Sequence, residues 1–166
     1  MIRIIFLLLF SFSGAIYAQN MDNNKLQEII NQNADTISGV TGYWKFIYQK
    51  TPMICITDTT NNRMRIIAPI TSSDTLDKEL LLDTMTANFH SALDVKYAIS
   101  NEILWSVYIH PLKELTSEQV ISALSQLYYA TKNFGTTFSS TEFIFGGKNT
   151  RKKSIEKKQK EKILKF

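Results

Sequence analysis

A chain of 166 residues with 44% apolar residues is long enough for one domain with a real core, which excludes a globally disordered protein. Its single cysteine, Cys55, excludes an intrachain disulfide. The net charge of +4 divides sharply: Lys148–Phe166 holds nine Lys/Arg against two Glu, while Gln19–Gly147 holds nine against thirteen Asp/Glu. The pattern is that of a mildly acidic body with a basic appendage.

In chain order, Arg3 precedes an apolar run from Ile4 to Phe12, and small residues follow at Ser13, Gly14, Ala15 and Ala18. This is the layout of a cleavable secretory signal over residues 1–18, with Gln19 as the new N-terminus and a periplasmic or secreted destination. The run is too short to span a bilayer. Asn20–Ser38 carries Leu26, Ile29, Ile30, Ala34 and Ile37 at helical spacing, and Gly39 and Gly42 mark its end. Tyr43–Gln49, Met53–Thr57 and Arg63–Ile70 read as a three-stranded antiparallel meander, with Trp44, Phe46 and Tyr48 on one face and a turn over Asp58–Asn62.

Leu76–Leu93 reads as a second helix, with Leu76, Leu80, Leu81, Met85, Phe89, Ala92 and Leu93 as its apolar face. Leu93–Pro111 then supplies a β-hairpin turning at Ser100-Asn101-Glu102, placed near the centre of one sheet. Leu115–Asn133 is a third helix, with Thr116 and Gln119 in a capping box and Val120, Leu124, Leu127, Tyr128 and Thr131 facing the core. Thr136–Ser140 reads as a polar linker, Thr141–Phe145 as an edge strand or cover, and Gly146-Gly147 as the domain boundary before the basic tail at 148–166. The expected class is α+β, an antiparallel sheet of about five strands packed with three helices in the order α-β-β-β-α-β-β-α.

This order, together with the stretch NFHSALDVKYAISNEILWSVYIHPLKELTSEQVISALSQL at Asn88–Leu127, resembles the type III secretion chaperone-like fold, and in particular the YbjN-like proteins. The resemblance covers roughly Asp22–Gly147. It implies a non-enzymatic domain that binds a protein segment or a second copy of itself, with no catalytic residues to carry over. The export signal separates this chain from the cytosolic members of the fold, so a secretion-chaperone role is not implied.

No catalytic, cofactor or metal motif stands out from the residues themselves. His90 and His110 do not form a ligand pair at helical spacing, and Cys55 lies within an apolar strand, where a small buried side chain is the simpler reading than a nucleophile. The acidic body opposes specific nucleic-acid binding. On the hairpin, Ile103, Trp105, Val107 and Ile109 are assigned to the core, and the opposite face of Leu104, Ser106, Tyr108 and His110 to a partner. Leu104, Tyr108 and His110, joined by Tyr43 and Ile47, are the candidate partner-binding residues. The tail has two readings: a solvated segment, or one that attaches to an anionic membrane surface through Arg151, Lys152, Lys153, Lys157 and Lys158. Three functions therefore stand: a binding module, an envelope-surface protein held by its tail, and an enzyme of unrecognised type built on Cys55 or His110.

Overall fold

The computed structural model describes residues 20–142. The signal-like segment, most of Thr141–Phe145 and the lysine tail lie outside them. Helix α1 spans Asn23–Asn33 and buries Leu26, Ile29 and Ile30. Asp22 caps it, accepting from the Lys25 N–H at 2.9 Å. Six strands follow, at Thr36–Val40 (β1), Tyr43–Tyr48 (β2), Thr51–Asp58 (β3), Arg63–Ser72 (β4), Lys96–Ser100 (β5) and Ile103–His110 (β6). Helix α2, Lys78–His90, lies between β4 and β5, and α3, Ser117–Lys132, follows β6.

All pairings are antiparallel, in the sheet order β1-β2-β3-β4-β6-β5. The α+β expectation holds, with one strand added. That strand corrects the first helix, which stops at Asn33 rather than running to Ser38. Ile37 continues the spacing of Ile30 and Ala34 by coincidence and belongs to β1, opposite Phe46. Gly39 therefore does not end a helix. It sits inside β1 at φ +126°, where an added Cβ would lie 2.2 Å from the Tyr43 carbonyl oxygen.

Two of the hairpin turns share one conformation, whereas at Thr41-Gly42 only Gly42 has a positive φ, +88°. Gln49-Lys50 and Asn101-Glu102 are both left-handed, which matches the natural twist of a hairpin. The second turn confirms the Leu93–Pro111 hairpin but not its place. It ends the sheet rather than centring it, with β5 as an edge strand. Asn88 of α2 covers that edge: its side chain accepts from the Tyr97 N–H at 2.7 Å and donates to the Tyr97 carbonyl at 3.1 Å. Free strand edges invite pairing with other chains, and this contact closes one at its middle.

The core lies between the helices and one face of the sheet. Trp44, Phe46, Met53, Cys55, Met64, Ile66, Ala68, Tyr97, Leu104 and Tyr108 point into it from the strands. Helix α3 meets them with Val120, Ala123, Leu124, Leu127 and Ala130. Its start carries the expected capping box, with Thr116 N–H donating to Gln119 Oε1 and Gln119 N–H to Thr116 Oγ1. The stretch after α3 is not a polar linker. Phe134 packs tilted and Phe138 edge-on against the Tyr97 ring, and Ser139 and Ser140 are buried.

Candidate functional site

Among the described residues the sheet carries helices on one face only, and its other face is open. Strand alternation sets Val40, Tyr43, Lys45, Ile47, Ile54, Ile56, Arg65, Ile67, Trp105, Val107 and Ile109 on that outer face. The register arranges them in rows. One runs Val40, Tyr43, Ile56, Arg65, Ile109, and the next runs Lys45, Ile54, Ile67, Val107. An antiparallel sheet with one face in water ordinarily places polar side chains there. Here the four middle strands present isoleucine, valine and tryptophan, with Tyr43, Lys45, Arg63 and Arg65 among them. Val40 is 70% exposed and Ile109 63%. A depression of about 370 Å³ crosses this face, lined by Lys45, Ile47, Pro52, Ile54, Pro69 and Trp105 among others.

The expected partner residues divide between the two faces. Tyr43 and Ile47 are on the outer face, each 39% exposed. Leu104 and Tyr108 are not: both are buried on the helix side of the sheet, so the face assignment of the hairpin is reversed. The cause is Ser106. Its hydroxyl lies 3.0 Å from Thr131 Oγ1 of α3 and donates to the Ala68 carbonyl at 3.4 Å, so this polar residue is wholly buried. Its small side chain leaves room for the helix, and Leu104 and Tyr108 go inward with it. Ile103, Trp105, Val107 and Ile109, expected in the core, form part of the open face.

A second apolar surface runs along α2. Leu76 and Leu80 pack against the core and Ala92 is buried, but the rest of the expected stripe is turned outward. Thr84 and Ala87 are the buried positions instead. Leu82, Met85 and Phe89 share one side of the helix, and Phe89 is 87% exposed. Leu81, Leu93 and Ile99 are exposed as well.

His110 is half-buried where β6 runs out, at the edge of a recess of about 280 Å³ between β6 and α3. Asp94, Tyr108, Gln119, Ser122 and Gln126 line it too. The His110 ring is parallel to that of Tyr108, with centroids 6.0 Å apart, and its Nδ1 donates to the Pro111 carbonyl at 2.7 Å.

Cys55 does not meet His110. In the register Cys55 is opposite Ile66, while His110 is opposite Met64, two strands from β3. Neighbouring strands are about 4.8 Å apart, so the two backbones are on the order of 10 Å apart at least. Cys55 is fully buried, and burial pushes its thiol up to about 12. A thiol in that state is not a nucleophile near neutral pH. Among the described residues no cluster of three His, Cys, Asp or Glu is placed to hold a metal.

No protein-family model and no curated protein matches the chain. Solved structures do. A chain of the HopA1–SchA chaperone–effector complex aligns at a TM-score of 0.52 with 10% identity, over 66% of this chain and 88% of that one. The Yersinia pestis type III secretion chaperone SycH, solved with a stable fragment of YscM2, aligns at 0.52 with 12% identity, over 68% and 98%. A chain of the ExsC–ExsE complex aligns at 0.53 with 13% identity, over 68% and 92%. At these identities the likeness is one of fold, and the chain has a type III secretion chaperone-like fold.

Proposed function

We propose that this chain is a non-enzymatic, chaperone-like module that holds a segment of another protein against the open outer face of its sheet. The observation that carries the reading is the row of Ile54, Ile67 and Val107, apolar residues in the middle of a sheet face that no element of the described fold covers. The fold likeness supports it, since two of the solved complexes pair a chaperone with another protein or its fragment.

Charge narrows the partner. Lys45, Arg63 and Arg65 are on the outer face, and Asp58 at its rim is the one acidic strand residue there among the described residues. The net negative charge of the body therefore lies elsewhere. An apolar segment carrying Asp or Glu fits this face. A photo-crosslinking residue at Ile67, in the native envelope, is expected to trap an apolar, acidic segment, and Val107→Glu is expected to abolish the capture. Equal capture from Gln27, on the exposed side of α1, would count against the outer face.

The α2 surface favours a second contact, with another copy of this chain. Leu82, Met85 and Phe89 form a stripe that can face its own symmetry mate. Light scattering is expected to give a dimer that Phe89→Glu converts to a monomer.

We further read the chain as an exported, YbjN-like member of this fold, cleaved after Ala18. Mass spectrometry of the mature protein is expected to begin at Gln19. Attachment of the tail to an anionic surface through Arg151, Lys152, Lys153, Lys157 and Lys158 is the reading to set beside this. It requires vesicle binding that is lost when 148–166 is deleted.

A further inference from the structure

We propose that the recess between β6 and α3 is a binding site for a basic side chain, with Asp94 as its counter-ion and the Tyr108 hydroxyl and His110 ring as its hydrogen-bonding walls. The site lies on the helix side of the sheet and does not depend on the outer-face reading.

Four observations converge there. Among the described residues Asp94 is the one carboxylate lining the recess, and no Lys or Arg lines it. Its carboxylate is held in place: Oδ2 accepts from Gln126 Nε2 at 3.0 Å, while the Asp94 N–H donates to Gln126 Oε1 at 3.2 Å. Gln126 Nε2 also donates to Ser122 Oγ at 3.1 Å, so both amide hydrogens are engaged. Asp94 Oδ1 is left without a partner among the described residues.

Tyr108 adds the second element. Tyr108 is 5% exposed and lines the recess; its hydroxyl makes no hydrogen bond among the described residues and is not one of their buried unpaired atoms, so it is the part of the side chain that solvent reaches. Burial, and then the Asp94 charge, hold its phenol above the ordinary value, so it stays protonated. On His110, Nδ1 is engaged with the Pro111 carbonyl, which leaves Nε2 as the acceptor of the neutral ring. A carboxylate oxygen, an imidazole nitrogen and a phenol around one small recess suit a multi-donor cation, an ammonium or a guanidinium.

Two sources can supply that cation. One is the chain's own basic end. Ser140 N–H donates to the Ser91 carbonyl at 3.2 Å, three residues from Asp94, so the described chain leaves the fold beside the recess. Lys148 follows Glu142 by six residues, a reach of up to about 20 Å. The other source is a basic side chain of a different protein.

The test uses the full chain with its nine tail Lys and Arg changed to Gln. The probes are a peptide of the 148–166 sequence, the pentapeptide Gly-Gly-Arg-Gly-Gly with blocked ends, and the tail peptide with Gln at every basic position. Calorimetry is expected to show binding of a basic probe, no binding of the Gln peptide, and a loss of about fivefold or more in Asp94→Asn. Tyr108→Phe is expected to weaken binding with an unchanged circular dichroism spectrum, and Glu28→Gln, a remote charge change, to leave it intact. If the unaltered chain binds the tail peptide tenfold more weakly than the tail-neutral chain, its own tail fills the site. Equal affinities assign the site to another protein's side chain. Absence of binding by both basic probes overturns the proposal, as does parent-like binding by both Asp94→Asn and Tyr108→Phe.

Discussion

Asp94 and Gln126 hold each other reciprocally, main-chain N–H to side-chain oxygen at 3.2 Å and side-chain N–H to carboxylate at 3.0 Å. The pair ties the approach to β5 to the middle of α3, across 32 residues of sequence. Gln126 is buried, so removing it strands the Asp94 N–H and one carboxylate oxygen. Gln126→Ala is expected to cost about 1–2 kcal/mol in denaturant unfolding. Asp94→Asn keeps an oxygen to accept from Gln126 and is expected to change stability little. A double-mutant cycle on the two positions is expected to return a coupling free energy, and strictly additive effects would show that the pair does not act as a unit.

Gly39 is the position where backbone geometry leaves no choice of residue. It combines φ +126° with a 2.2 Å approach of any added Cβ to the Tyr43 carbonyl oxygen. Backbone cannot yield as a flexible side chain can. Gly39→Ala is expected to destabilise by about 2–4 kcal/mol, through strain and lost pairing between β1 and β2. Hydrogen exchange at Ile37 and Phe46, opposite one another in that pair, is expected to accelerate more than exchange in α3.

The elements that could be read from sequence are those whose signals are local. The Thr116–Gln119 capping box, the Asn101-Glu102 turn and the Trp44/Phe46 alternation each depend on neighbours within a few residues, and each is found in the structure. The errors lie where a local pattern has two solutions that only tertiary packing decides. Ile37 fits a helix stripe as well as a strand, and the five-residue β1 is too short to show its own period. Both faces of β6 are apolar, so polarity pointed Ser106 the wrong way, and its partner Thr131 is 25 residues distant. Of the candidate partner residues, Tyr43 and Ile47 could be read because Trp44 and Phe46 fix the β2 alternation. Asp94 and Gln126 could not, since nothing in their spacing announces a contact.

Acid should weaken the fold through exposed carboxylates at loops and caps. Asn61 hydrogen bonds hold Asp58 below its ordinary value, the Asn62 side chain does so for Glu114, and main-chain N–H at the start of α3 does so for Glu118. In each the folded pKa lies below the unfolded one. The unfolded chain therefore binds more protons as pH falls, and the stabilisation, present above the ordinary carboxylate range, is lost as pH drops through the folded values. Melting temperature is expected to decline below about pH 4.5. Asn61→Ala with Asn62→Ala is expected to flatten that decline, and an unchanged slope would place the acid sensitivity elsewhere.

Cys55 is the lone thiol in a chain read as exported, and its protection rests on burial. With the thiol raised to about 12 and the side chain fully covered, alkylation requires unfolding. Iodoacetamide at pH 8 is expected to leave the native protein unmodified and to label it in step with denaturant unfolding. Labelling at native conditions, with circular dichroism unchanged, would reveal local opening of β3.

The orientation of the last hairpin can be tested with two substitutions on one strand. Leu104 is 1% exposed on the helix side of the sheet, whereas Ile109, one position beyond Tyr108, is 63% exposed on the outer face. Leu104→Ala is expected to cost about 2–5 kcal/mol, because removal of a buried side chain leaves a cavity in a packed core. Ile109→Asp is expected to stay within about 0.5 kcal/mol of the parent, since its side chain is mostly in water already. The same Ile109→Asp change places a like charge against the acidic segment proposed for the outer face, so it is expected to weaken partner capture without weakening the fold. If Leu104→Ala proved neutral and Ile109→Asp unfolded the domain, the inner and outer faces of β6 would be exchanged, and the open apolar surface would belong to Leu104 and Tyr108.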